Sequence, residues 1–131
     1  MKTRTTRVVV FGGVAVVLYD AIAAVASRQF DFPYTNAAFG SYILYAVAGY
    51  IAGRASGWRV GAAVGAVLGL IDASIGWAVS TALHANAPPT PHLTILTWAV
   101  VAVMVMVTGG ICGLIGGAIG GRFSVIRAPA A

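Results

Sequence analysis

Apolar residues run through this chain in four long blocks, at about 8–27, 36–53, 60–83 and 93–121, joined by short polar or charged connections. The blocks show neither the strict alternation of a half-buried strand nor the broad polar stripe of a soluble helix. Each approaches or exceeds the ~20 residues a helix needs to cross about 30 Å of hydrocarbon. The pattern predicts an all-α membrane protein of four transmembrane helices, with residues 1–131 forming a single integral membrane domain.

The charged positions refine that picture. Lys2, Arg4 and Arg7 precede the first block, Arg54 and Arg59 separate the second from the third, and Arg122 and Arg127 follow the fourth; Arg28 alone falls in the alternate set of connections. The positive-inside rule then puts both termini and the 54–59 turn in the cytoplasm, and the expected location is the cell's inner (plasma) membrane. A mean hydropathy of +0.92 and a pI near 10.0 fit this arrangement. The basic balance belongs to the membrane edge, so no nucleic acid is expected as a partner. Arg54, Arg59, Arg122 and Arg127 are expected to anchor to anionic lipid headgroups. The opening MKTRTTR-VVVFGGVAVVL followed by AVAS also has the shape of a secretory signal, but Asp20 interrupts its apolar stretch. The single cysteine, Cys112, lies within the fourth block and behaves there as a small apolar side chain.

Two segments of the chain resemble each other. GYIAGRASGWR (49–59) and GAIGGRFSVIR (117–127) align without gaps, with identity at Gly49/Gly117, Ile51/Ile119, Gly53/Gly121, Arg54/Arg122, Ser56/Ser124 and Arg59/Arg127. Upstream, 13–26 aligns with 65–78, pairing Asp20 with Asp72. The expectation is two parallel-repeat helical hairpins, about 8–59 and 60–127, each running from inside to outside and back. In the shared GRxSxxR ending, glycine is expected to close the helix in a left-handed conformation beside an arginine that complements the helix dipole.

Small residues form stripes on the last two blocks. Gly109, Gly113, Gly117 and Gly121 recur every four residues, and Gly65 and Gly69 follow the same spacing in the third block. Helices in lipid associate by close van der Waals contact, which such glycine-rich faces permit. They serve either packing within one four-helix bundle or a homo-oligomer or larger membrane complex.

Asp20 and Asp72 carry the most chemical information. An ionised carboxylate at the centre of a membrane helix costs about 2.5–3.5 kcal/mol on insertion scales, so the environment must offset it. Both acids sit at nearly the same depth, on small-residue faces, with no lysine or arginine at their level. Ser41, Tyr42, Tyr45 and Thr108 are the hydrogen-bonding candidates at that depth. The residues support a proton- or cation-linked channel or transporter using Asp20 and Asp72; the alternative is a structural or accessory subunit in which the acids are interhelical hydrogen-bonding groups. No phosphate-cradling loop, zinc-protease motif or nucleophile elbow is present, so no enzyme, metal or cofactor is expected. His84 and His92 flank a proline-rich connection without further metal ligands nearby.

Overall fold

The computed structural model describes residues 2–87 and 94–126, with side chains over 3–87 and 94–123. Helix α1 (Lys2–Gln29) leads through a 3-10 turn (Tyr34–Ala37) into α2 (Ala38–Ser56). A tight turn then gives α3 (Trp58–Ile71), a π-helical turn (Asp72–Gly76) and α4 (Trp77–Ala82), stacked as one rod; α5 (Ile95–Ile126) follows. No strand occurs among the described residues. The expected all-α architecture of four helical rods is present.

Three of the rods, 3–29, 58–82 and 95–123, are long and apolar enough to cross a membrane. The expected span at 36–53 is a helix in the expected place but does not reach that standard. Its 19 residues include Ser41, three tyrosines (Tyr42, Tyr45, Tyr50) and Arg54, which dilute its apolar character. Ser41, Tyr45, Ala48, Gly49, Ala52 and Gly53 are all buried on one face, so the Ser41 and Tyr45 hydroxyls point inward.

Glycine contacts set the directions of the rods. Gly49 faces Gly113 and Gly53 faces Gly117, so α2 and α5 run parallel. Gly61 meets Gly117, Gly65 meets Gly113 and Gly109, and Gly69 meets Val105 and Met106, so α3 and α5 run antiparallel. A Cβ on Gly61 would lie 2.8 Å from the Gly117 Cα, and one on Gly65 would lie 2.8 Å from the Gly113 Cα. Such contacts bring backbone against backbone and leave no room for any side chain. The glycine stripe is therefore used within the chain. At its end, a Cβ on Gly121 would lie 3.8 Å from the Gly53 carbonyl, an ordinary contact distance.

Helix α1 is attached differently. It packs on α2 and α3, and it does not meet α5 among the described residues. Its Gly12 and Gly13 receive the side chains of Leu68 and Ile71, and its Tyr19 ring fills the space left by Gly40 while its hydroxyl donates to the Ala37 carbonyl at 2.7 Å. The buried cluster of Val16, Tyr45, Ala48, Ala52, Val64 and Leu68 lies where α1 meets the other two.

The surface inverts the pattern of a water-soluble protein. Besides the Val16, Tyr45, Val64 and Leu68 cluster, buried positions hold mostly alanine, glycine, serine and Asp20, while Phe11, Leu18, Ile22, Val103, Met104 and Ile111 are among many large apolar side chains left exposed. Apolar cover on this scale fits a hydrocarbon surround.

The two ends differ in chemistry. Arg4, Arg7 and Arg54 line a common cleft at one end, where Arg59 also stacks over Trp58 at 5.3 Å. Arg122 is exposed, and Arg127 and His92 lie outside the described residues. At the other end hydrogen bonds tie the two connections together. Tyr34 N–H donates to Asn86 O at 2.9 Å, Asn86 N–H to Ser27 Oγ at 3.1 Å, and Arg28 to Leu83 O at 3.2 Å.

One local expectation is corrected. Gly53 and Gly121 do not end their helices, since α2 continues to Ser56 and α5 to Ile126. The left-handed glycine is Gly57, at φ 85°, which reverses the chain between α2 and α3. Gly53 is held helical by its seat on Gly117 and so serves packing instead of capping.

Candidate functional site

Asp20 and Asp72 meet in the half of the bundle away from the basic end. Asp20 stands on regular helix in α1 and is 2% exposed. Asp72 opens the π-helical turn and is half-buried. The turn has a local cause in the sequence DASIG. Ser74 Oγ donates back to the Leu70 carbonyl at 2.6 Å and lies 3.3 Å from that of Ile71, competing with the backbone ladder at that level. One residue is accommodated beyond the α-helical count, a distortion often found at functional positions.

Gly76 closes this turn and makes the meeting possible. A Cβ there would collide with Asp20 Oδ2 and come within 2.8 Å of Asp72 Oδ1. The two carboxyls thus converge on the space a side chain would have occupied, within hydrogen-bonding reach of each other.

Each carboxyl holds one tyrosine on its other oxygen. Tyr34 donates to Asp20 Oδ1 at 3.0 Å, and the fully buried Tyr45 donates to Asp72 Oδ2. Burial first, and the Asp20 carboxyl second, hold the Tyr34 phenol above its ordinary range, so it remains a donor. No N–H or O–H among the described residues reaches Asp20 Oδ2, although that oxygen is buried. An orphan buried carboxylate oxygen costs free energy. A carboxyl pair at this separation can satisfy both facing oxygens by holding one proton between them.

The pair is asymmetric in access. Asp72 lines a partly open cleft of about 160 Å³ together with Tyr34, Ser80, Trp77, Trp98 and Val105. Asp20 does not line it. At ~30 Å³ per water, the cleft accommodates a few water molecules or one small ligand.

Of the partners expected at this depth, Tyr45 is bonded to Asp72 and the buried Ser41 lies beside the Tyr45 hydroxyl. Tyr42 stands one step further out, with its ring 6.3 Å from that of Tyr45. Thr108 donates to the Met104 carbonyl of its own helix at 2.9 Å and is not brought to the acids. Tyr34 and Gly76 are site residues that the sequence did not single out for this role. Their only advance signal is that Tyr34 adjoins a connection and that Gly76 lies one α-helical turn beyond Asp72.

Compared with known protein families, curated proteins and solved structures, the chain matches none. What it does must be argued from this geometry.

Proposed function

We propose that the chain is a multi-pass protein of the inner (plasma) membrane, with both termini cytoplasmic, in which Asp20 and Asp72 form a proton- or cation-responsive site serving transport. The observation that carries the reading is the buried, donorless Oδ2 of Asp20 facing the Asp72 carboxyl, next to a cleft that reaches only Asp72. An acid pair short of one donor is poised to gain or lose a proton, or to exchange it for a cation. The level placement of the two acids on parallel helices supports an origin in two duplicated hairpins. The close α3–α5 seam and the looser α1–α2 contact imply that the copies have since diverged.

The test uses protein reconstituted in liposomes with a pH-sensitive dye inside, driven by a proton or monovalent-cation gradient. Wild type is expected to carry flux, and Asp20→Asn with Asp72→Asn to abolish it. Flux that survives the double substitution unchanged overturns the proposal. A second reading, an accessory subunit with the acids as interhelical links, is favoured by the two tyrosine bonds that join separate elements. Under that reading the same double substitution weakens assembly while no flux exists in the wild type.

A further inference from the structure

The basic end of the molecule carries a second feature that the acid pair does not use. A cleft of about 460 Å³ lies between the start of α1 and the end of α2, and Arg4, Arg7 and Arg54 all contribute to its walls. Three guanidinium groups from two helices share this space. Every acid in the chain, Asp20, Asp31 and Asp72, is elsewhere, so none of them can neutralise it. Arg54 is steadied by the Tyr50 ring, 5.8 Å from its guanidinium carbon, and Tyr50 also lines the cleft.

An apolar groove of about 350 Å³ continues from this cleft down the α1–α2 face. Arg7, Val8 and Ile51 line both, so the charged and apolar spaces are contiguous. Of the rest of its lining, Phe11 and Val47 are exposed, and Ala15 and Leu44 are half-buried. From Arg7 to Ala15 it follows roughly 12 Å of helix toward the middle of the bundle. The groove exists because α1 leans on α2 through small residues, Gly12 and Ala48 among them, with no side chain filling the outer seam.

We infer that this cleft and groove together bind one anionic phospholipid, its phosphate held by Arg4, Arg7 and Arg54 and one acyl chain lying along the α1–α2 groove. Guanidinium groups match phosphate geometry through paired N–H donors, and three of them favour a headgroup with net negative charge over a zwitterionic one. The apolar groove distinguishes a lipid from a free anion. This site is separate from the acid pair, and the inference stands without the proposed transport.

Native mass spectrometry of the full chain, titrated with phosphatidylglycerol or with phosphatidylcholine of the same chains, tests it. One retained phosphatidylglycerol is expected, bound at least ten-fold more tightly than phosphatidylcholine. Arg4→Gln/Arg7→Gln/Arg54→Gln is expected to lower that affinity ten-fold or more, whereas Arg59→Gln/Arg122→Gln, which removes charge from the same end outside the cleft, is expected to leave it within two-fold. Val47→Trp fills the groove at an exposed position and is expected to weaken the phospholipid while sparing inorganic phosphate. Equal binding of the two lipids, or an equal loss in the Arg59/Arg122 control, overturns the inference. So does phosphate competition that matches the lipid with no effect of Val47→Trp, since that describes a free-anion site. The groove variant supplies an independent reading should the triple substitution impair folding.

Discussion

The seam of α5 against α2 and α3 and the seam of α1 against the same two helices are built on opposite principles. In the first, glycines such as Gly49, Gly53, Gly61 and Gly65 press on backbone atoms of the facing helix, which cannot move aside. In the second, glycines on α1 receive the flexible ends of Leu68 and Ile71. The difference teaches that small residues alone do not define how rigid a helix contact is; what stands opposite them decides. Asp72 therefore follows directly on the glycine-packed α3, while Asp20 stands on the helix that packs through side-chain ends.

The comparison is broken most severely by bulk in the first seam. Gly65→Val sets a branched side chain against the backbone of Gly109 and Gly113 and is expected to cost about 3 kcal/mol or more, or to prevent folding, in detergent unfolding measurements. Next comes Gly76→Ala, whose methyl collides with the Asp20 carboxyl. A loss of roughly 1–3 kcal/mol is expected, and adding Asp20→Ala should recover most of it; a double-mutant cycle with no coupling would show that the carboxyl is not the obstacle. Tyr45→Phe strips a fully buried donor from Asp72 and is expected to cost about 1.5–3 kcal/mol, with Tyr34→Phe costing less because Tyr34 is only half-buried. The smallest change belongs to the second seam. Gly12→Ala meets Leu68 Cδ1 at 3.0 Å, a side-chain end that can rotate away, and the gain in helix propensity offsets the crowding to within about 1 kcal/mol of zero. A Gly12→Ala penalty as large as that of Gly65→Val would erase the distinction between the seams.

Much of this was readable from the residues, and the unread part has physical causes. Block lengths and charge placement gave four helical rods, because the length of an apolar block and the clustering of arginines are properties of the chain itself. The level placement of Asp20 and Asp72 followed from counting residues along two helices. The π-helical turn was not legible, since Ser74 bonding back to Leu70 decides between two backbone ladders of similar stability. Tyr34 was missed because it reaches Asp20 only after the two connections bond through Asn86. Thr108 was misplaced because depth along a helix says nothing about its azimuth: its hydroxyl stays on its own helix. Of the tyrosines that make α2 less apolar than its neighbours, Tyr45 is the one bonded to an acid.

The sealing of Asp20 behind Asp72 has a directional consequence. The tryptophan-flanked opening reaches Asp72 and not Asp20, and on the arginine side of the pair the fully buried Val16, Tyr45 and Leu68 form a stopper. A permanently open conduit is incompatible with that stopper.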